Sequence, residues 1–224
     1  MSYSIIIPLY NEARALKNLI PKLEKISSDL FEIILIDDGS DDGSWDLIKN
    51  NSFLISIKNN FNCGKGAAIV KGSLIASKDN IILIDSDLEL DLNELPKLIN
   101  VYEKNKDKVL IGIRWNLKLL NNLDIHCLGN YFLTTVFNFI FKKNYNDVLC
   151  CIRIINTNLF KTLNIKSKGF GIEVETLGKL IKNDIPLIEH KVSYKRRKRK
   201  DGKKIKFIHT FNILLRMLKV KYRS

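Results

Sequence analysis

The chain has 224 residues, is 46% apolar and contains only 4 prolines. That length and apolar content suit one well-buried domain and exclude both a disordered chain and two ordinary domains. The formal charge of +13 is confined to the end: residues 1–190 hold 23 Lys and Arg against 23 Asp and Glu, residues 191–224 hold 14 against 1.

The first expected strand, Tyr3 to Ile7, starts almost at the first residue, with no basic region or cleavage pattern before it, so no signal peptide is expected. Pro8-Leu9-Tyr10-Asn11-Glu12 follows; Pro8 is expected to end the ladder and to leave an aromatic ring and a carboxylate, Tyr10 and Glu12, at the strand's carboxyl end. Ala15, Leu16, Leu19, Ile20 and Leu23 then recur at helical spacing. A second strand, Glu32 to Ile36, leads into Asp37-Asp38-Gly39-Ser40-Asp41-Asp42-Gly43, a run rich in turn formers. One of its first two carboxylates is available to accept hydrogen bonds from a base or ribose.

After a third strand, Phe53 to Ile57, comes Asn62-Cys63-Gly64-Lys65-Gly66-Ala67-Ala68, opening a helix expected over Gly66 to Ala76. Glycines admit a phosphate to the backbone, helix amino termini offer free N–H groups, and Lys65 adds a point charge. A plain helix cap explains the segment equally well. It is not a Walker A loop, because Asn59 and Gly66 stand where Gly and Ser or Thr are required.

The fourth strand, Ile81 to Ile84, is four consecutive aliphatics, as in a strand covered on both faces, and it ends in Asp85-Ser86-Asp87. Two carboxylates at the carboxyl end of a buried strand are costly unless compensated, so a divalent ion holding a phosphorylated ligand is the chemistry they suit; a capping role for Asp87 is the simpler alternative. Leu95 to Tyr102 predicts a helix, and Val109 to Ile113 a fifth strand followed by Arg114, whose fork suits phosphate oxygens. The alternation of strand and helix predicts an α/β fold, a doubly wound and mostly parallel sheet with helices on both faces and ligands beyond the strands' carboxyl ends.

The second half is apolar, then acidic, then basic. Tyr131 to Phe141 is too short to span a bilayer, yet Phe132, Leu133, Val136, Phe137, Phe139, Ile140 and Phe141 lie on nearly every side of one helix. Glu173 and Glu175 follow a Gly-Phe-Gly turn at the start of another, where they complement the dipole or serve chemistry. Cys63, Cys127, Cys150 and Cys151 lack C-x-x-C spacing and His126, His190 and His209 lack zinc-site spacing, which argues for reduced thiols and against a structural metal. Lys195 to Lys200 is a solvated run of like charge, and Ile208, Phe211, Leu215, Leu218 and Tyr222 beyond it describe a basic amphipathic helix. Its candidate partners are anionic lipid, nucleotide phosphate and nucleic acid; the last is not expected, because only Tyr194 and Phe207 flank the run where single-strand binders interleave aromatics.

In register, Ile6-Ile7-Pro8-Leu9-Tyr10-Asn11-Glu12, Ile36-Asp37-Asp38-Gly39-Ser40, Gly64-Lys65-Gly66, Asp85-Ser86-Asp87-Leu88-Glu89, Gly112-Ile113-Arg114, Gly129-Asn130, Asp147 with Cys150-Cys151-Ile152-Arg153, and Gly169 to Glu175 resemble the family 2 glycosyltransferases of GT-A fold. Within them the likeness is to dolichyl-phosphate mannose and glucose synthases and bacterial polyprenyl-phosphate glycosyltransferases. The resemblance implies a GT-A domain over 1–190, with 191–224 a basic segment and helix that joins the domain or associates with membrane. It implies inverting transfer of a hexose from a nucleoside-diphosphate sugar. Pro8, Tyr10, Glu12, Asp37, Asp38, Lys65, Asp85 and Ser86 would bind the nucleotide. Asp85, Asp87 and Glu89 would hold Mg²⁺ or Mn²⁺, and Asp87, Arg114 and Glu173 would carry the catalysis. The acceptor implied is a polyprenyl phosphate at an anionic membrane surface, with the protein peripheral on the cytoplasmic face; Asp147, Glu175, Arg196, Arg197, Lys203 and Lys204 would contact it. A saccharide hydroxyl is the alternative acceptor, and a catalytically dead sugar-nucleotide scaffold a further one. No oligomeric state is assigned.

Overall fold

Alternation of apolar side chains decides which helices cover which face of the sheet. The computed structural model describes residues 1–114, 125–195 and 207–223. In chain order the elements are β1 (Tyr3–Leu9), α1 (Ala13–Ile26), β2 (Phe31–Asp37), α2 (Ser44–Ile48), β3 (Leu54–Lys58), α3 (Lys65–Ile75), β4 (Asn80–Leu83), α4 (Leu95–Glu103) and β5 (Val109–Ile113). They continue with α5 (Ile125–Phe141), β6 (Arg153–Asn156), α6 (Thr157–Thr162), α7 (Ile172–Lys182), β7 (Leu187–Lys191) and α8 (Phe207–Tyr222). The strands form one sheet in the order β3-β2-β1-β4-β6-β5-β7. Only β6 runs against its neighbours β4 and β5.

Ile5, Ile7 and Leu9 of β1 face one layer with Leu16, Leu19 and Leu23 of α1 and Leu95, Leu98 and Tyr102 of α4. Ile6 faces the other, with Ile34 and Ile36 of β2, Ala68 and Ile69 of α3 and Phe160 of α6. A third apolar cluster joins α5, α7 and α8 through Phe137, Phe141, Val174, Leu177, Ile213 and Met217. The doubly wound, mostly parallel sheet expected from the sequence is therefore present, with helices on both faces.

Two strands escaped the sequence pattern. β6 is four residues, Arg-Ile-Ile-Asn, with a charge in its first position, and β7 is half-buried with Glu189 and His190 in it. Neither shows the run of aliphatics that marks β1, β2 and β4. Their sequence carries no helix signal either, and pairing with neighbours decides them.

Pro8 does not end β1. It pairs with Ile36 inside the strand, one residue before Leu9 pairs with Asp37. In a parallel ladder successive residues bond to opposite neighbours: the Ile6 carbonyl accepts from Ile84 N–H on the β4 side, and the Leu9 carbonyl from Asp38 N–H on the β2 side. Pro8 thus points toward β4, where the β1–β4 register has already stopped at Ile6 and Leu83. Its missing N–H costs nothing there and helps the two strands part. That parting, where strand order reverses about β1, opens the crevice in which ligands of such sheets collect.

Gly72 of α3 sets how closely that helix approaches the sheet: a Cβ there would lie 2.7 Å from Ile6 Cγ2 and 3.3 Å from Ile36 Cγ1. Gly72→Ala is expected to lower stability by about 1–3 kcal/mol through overpacking, despite alanine's better helix propensity. Urea denaturation measures this; a more stable variant would mean that α3 is free to lift.

Candidate active site

The strand ends bring their polar side chains to one edge. The loops after β1 and β2 are stitched together, Asn11 N–H donating to Ser40 Oγ at 2.9 Å and Asp41 N–H to Asn11 Oδ1 at 3.0 Å. Tyr10 is half-buried and Glu12 buried beside them. Asp37 is fully buried; its Oδ1 accepts from Ser40 N–H at 2.9 Å, while its Oδ2 has no hydrogen-bond partner among the described residues. A buried carboxylate oxygen is a strong acceptor left open, which a base or ribose donor can fill. Asp38 differs: Oδ1 accepts from Asn59 Nδ2 at 2.8 Å and Cys63 N–H at 2.9 Å, Oδ2 from Gly64 N–H at 2.6 Å. It fastens the loop before α3.

That loop is not a phosphate cradle. Gly64, at φ +96°, would place a Cβ 2.5 Å from the Lys168 carbonyl oxygen, and Gly66 would place one 2.1 Å from that of Ser167. Ala67 N–H donates to Lys168 O at 3.0 Å. The glycines are there so that two backbones can touch, and this contact aims Lys65 inward. Lys65 Nζ lies 2.7 Å from Asp85 Oδ1 and 2.7 Å from Glu173 Oε1, joining the ends of β4 and α7. Burial works against the ammonium charge, but attraction to Asp85 and Glu173 outweighs it and holds the lysine pKa well above its ordinary value. Burial likewise opposes the charge on Asp85, and Lys65 reverses this, holding the carboxyl below its ordinary range.

Asp85, Asp87, Glu89, Leu90, Arg114, Cys151 and Tyr194 line one small cavity. Asp87 Oδ1 accepts from Glu89 N–H at 3.1 Å, and Leu88 between them takes φ 58°, a strained turn for a branched side chain. Ser86 is buried. Glu89 Oε2 accepts from the Tyr194 hydroxyl at 2.9 Å; burial, then Glu89, push that phenol's pKa up. Among the described residues no three His, Cys, Asp or Glu stand close enough to form a ready metal cage. The expected Asp85, Asp87 and Glu89 trio shares a cavity without forming such a cage, since Lys65 engages Asp85 and Tyr194 engages Glu89.

Arg114 is held as a fork. Its Nε donates to Asp147 Oδ2 at 2.8 Å and Nη2 to Oδ1 at 2.9 Å, with Tyr194's ring centroid 5.5 Å from the guanidinium carbon. Asp147 is 1% exposed and its Oδ1 also accepts from Leu149 N–H. Glu175 is equally buried; its oxygens accept from Lys166 and Ser167 N–H at 2.9 and 2.6 Å and pair with Lys179 and Arg216. Burial pushes Glu175 up, but the hydrogen bonds from Lys179 and Ser167 outweigh it, and its carboxyl titrates below the ordinary range. The oxygens of Asp147 and Glu175, both expected at the acceptor, are engaged inside the chain. Glu173, in contrast, is 4% exposed and keeps Oε2 without a hydrogen-bond partner among the described residues. Arg196, Arg197, Lys203 and Lys204 lie outside the described residues.

Three residues that the sequence reading named without a role stand at the site. Tyr194 and Cys151 line the carboxylate cavity, and Phe170 sits with its ring centroid 5.9 Å from Lys65 Nζ. Arg153, buried in β6, organises the approach to Cys151: its Nη1 donates to Cys150 O at 2.9 Å and its Nη2 to Glu173 O at 3.0 Å. The only local signal was the Arg153 charge in an otherwise apolar stretch.

The family model described as glycosyl transferase family 2 matches residues 4–163. Undecaprenyl-phosphate 4-deoxy-4-formamido-L-arabinose transferases of Yersinia pestis strain Pestoides F and Yersinia enterocolitica are 40% and 39% identical over 114 residues. That match spans 47% of this chain and 35% of the length of those relatives. Among solved structures, glucosyl-3-phosphoglycerate synthase from Mycobacterium tuberculosis, in complex with Mn²⁺, UDP and phosphoglyceric acid, superposes with a TM-score of 0.72 at 14% identity, covering 100% of this chain and 79% of that one. Mannosyl-3-phosphoglycerate synthase from Rubrobacter xylanophilus gives 0.70 at 14%, covering 98% and 72%. The fold is thus GT-A, as the motifs implied.

Lys65→Ala is expected to cost about 3 kcal/mol or more by leaving two buried carboxylates without their cation. In the parent chain the Asp85 contribution is present above its ordinary pKa of 3.8 and is lost as pH falls through the depressed folded value. In the variant Asp85 keeps the burial that raises its pKa and loses the lysine that lowers it, so stability should instead fall as pH rises from about 4 to about 7. Denaturant titrations across that range read the slope; parallel curves for the two proteins would show that the triad is not coupled.

Proposed function

Because the chain belongs to glycosyl transferase family 2, we propose that it moves a hexose from a nucleoside-diphosphate sugar, with inversion, to the phosphate of a polyprenyl phosphate at a membrane surface. The observation that carries the donor half is the convergence of Asp85, Asp87, Glu89 and Arg114 on one cavity beyond the carboxyl ends of β4 and β5. Asp37 Oδ2, beyond β2, supports a base or ribose contact on the other side of the crevice.

An all-oxygen donor set suits Mg²⁺ or Mn²⁺, which bind through one or two carboxylates completed by substrate phosphates. Asp87 with Asp85 or Glu89 would hold the ion, and the absence of a complete cage among the described residues agrees with a diphosphate supplying the remaining oxygens. When bound, such an ion supplies positive charge to the departing diphosphate. Arg114, oriented by Asp147, aims a fixed guanidinium at the same region, and fixed donors stabilise developing charge without reorganisation. In the transfer, the bond from the anomeric carbon to the diphosphate oxygen breaks, the nucleoside diphosphate leaves with the electron pair, and an acceptor oxygen forms the new bond.

A phosphate acceptor is already ionised at neutral pH and needs no base. The curated relatives are undecaprenyl-phosphate transferases, which supports that acceptor class. A membrane location is supported by two helices that are apolar on more than their buried side. α5 buries Leu133, Phe137 and Phe141 yet exposes Phe132 and Phe139, the latter at 86%. α8 buries Ile213, Met217 and Val220 yet exposes Phe211, Leu215, Leu218 and Tyr222. No helix among the described residues is long and apolar enough to cross a membrane, so the contact proposed is interfacial.

One observation favours the second reading, a saccharide hydroxyl acceptor. Such an acceptor must lose a proton, and Glu173 Oε2 is a buried carboxylate oxygen without a hydrogen-bond partner among the described residues.

One variant tests the donor site that both readings share, and a second separates them. Asp87→Ala should abolish the metal-dependent stabilisation by nucleotide sugars, which is about 2.7 kcal/mol at about a hundred times the dissociation constant, while the fold persists. Thermal shift with UDP- and GDP-sugars and Mn²⁺ measures this, and unchanged stabilisation and turnover would overturn the donor site. Glu173→Gln should leave transfer to polyprenyl phosphate within a few fold, whereas loss by about 10²–10⁴ would identify a hydroxyl acceptor served by a base.

A further inference from the structure

A second concavity, unconnected with the carboxylate cavity in its lining, lies between the turn before α7 and the face of α8. Ser167, Lys168, Phe170, His209, Arg216 and Lys219 are among its lining residues, and its volume is about 240 Å³. Among the described residues no carboxylate lines it, although three cations do. Glu175 lies 3.6 Å from Arg216 and is otherwise engaged by Lys179 and two backbone N–H groups.

Three observations point to an anion. Ser167 is 4% exposed, lines the basin and carries an Oγ with no hydrogen-bond partner among the described residues, an unusual state for a buried hydroxyl. Gly171, the residue that caps the eleven-residue helix α7, lines the basin too and supplies no side chain to cap the first-turn N–H groups. A Cβ at that position would lie 3.1 Å from Ser167 Oγ and 3.3 Å from Arg216 Cβ, so glycine lets hydroxyl, guanidinium and helix terminus converge. The positive end of the helix dipole adds to the three side-chain charges.

We infer that this basin binds a phosphomonoester. Its oxygens accept from the Ser167 hydroxyl, the Arg216 fork and the Lys168 and Lys219 ammonium groups, with the α7 terminus behind them. A carboxylate would satisfy fewer of these donors, and a nucleobase would gain nothing from the charge. The phosphate belongs either to a free metabolite or to a lipid headgroup. The exposed Phe211, Leu215 and Leu218 on the same helix give a lipid somewhere to lay its chain. The inference does not depend on the transfer reaction: loss of nucleotide-sugar binding would sink that reading and leave this one standing.

The test uses the full chain and two probes, inorganic phosphate followed by calorimetry, and flotation with phosphatidylcholine vesicles with and without phosphatidic acid. Saturable phosphate binding, or vesicle binding that requires phosphatidic acid, supports the site and identifies the source. In either arm Lys219→Glu should weaken binding about tenfold or more, and the neutral change Ser167→Ala several fold, each with an unaltered melting temperature. Lys221→Glu, which alters the same charge outside the basin, should leave binding intact. The site is overturned by an absence of binding in both arms, by equal weakening with Lys221→Glu, by full binding in both basin variants, or by displacement of phosphate with UDP and Mn²⁺.

Discussion

The buried ammonium of Lys65 is the interaction on which the site depends. Asp85 and Glu173 come from β4 and α7, remote in sequence, and their oxygens are both 2.7 Å from one nitrogen. The lysine holds Asp85 charged against the desolvation that would otherwise raise its pKa. Lys65 is aimed by structure that contributes nothing chemical itself. Asp38 fastens the loop before it by three hydrogen bonds, and Gly64 and Gly66 allow the backbone to rest on Ser167 and Lys168. The same residues that resembled a phosphate loop therefore act one step removed, by positioning a charge.

Carboxylates divide here by whether their lone pairs are already used. Asp147 and Glu175 have both oxygens doubly engaged, by an arginine and backbone N–H groups and by a turn with Lys179 and Arg216, and Asp38 holds a loop by three hydrogen bonds. Asp37 and Glu173 each retain a buried oxygen without a hydrogen-bond partner among the described residues. Burying an acceptor without compensation costs of the order of 1–3 kcal/mol, so these two oxygens set Asp37 and Glu173 apart from the carboxylates whose acceptors are used. Asp147 shows how a saturated acid still matters, because the fork of Arg114 would otherwise sample many rotamers. Sequence gives both classes the same letter, and only the geometry of their neighbours distinguishes them.

That is why some parts were legible and others were not. β1, β2 and β4 carry continuous aliphatic runs, and the helices α1 and α4 repeat at 3.6 residues, so the sheet and its ligand edge followed from periodicity. β6 and β7 have no such pattern, since their identity is fixed by pairing with β4 and β5. The Asp85 to Glu89 motif lay at a strand end and was readable from the cost of burying acids there. The tie of Asp147 to Arg114 spans 33 residues and that of Lys65 to Glu173 more than a hundred; no local rule connects them. Tyr194 was equally silent, being brought over Leu90 and Glu89 by a bridge after β7.

The Gly169-Phe170-Gly171 turn joins the two halves of this surface. Phe170 has Lys65 Nζ 5.9 Å from its ring centroid and the His209 ring edge-on at 4.9 Å, so one aromatic side chain stands between the carboxylate triad and the basic basin. The turn also starts α7, which carries Glu173 on its first turn. The carboxylate cavity measures only about 20 Å³, room for about a single water between these side chains. Lys65 is held by two charges and a ring, and drawing it toward a phosphate would release Asp85 and Glu173 together. An aromatic between two glycines is well suited to accommodate that shift, because its backbone neighbours bring no Cβ to collide while the ring retains its apolar contacts. Any movement of the turn displaces Ser167 and Gly171 as well, which line the basin on its other side. The turn thus contributes Phe170 to the surround of Lys65, and Phe170 and Gly171 to the lining of the basin.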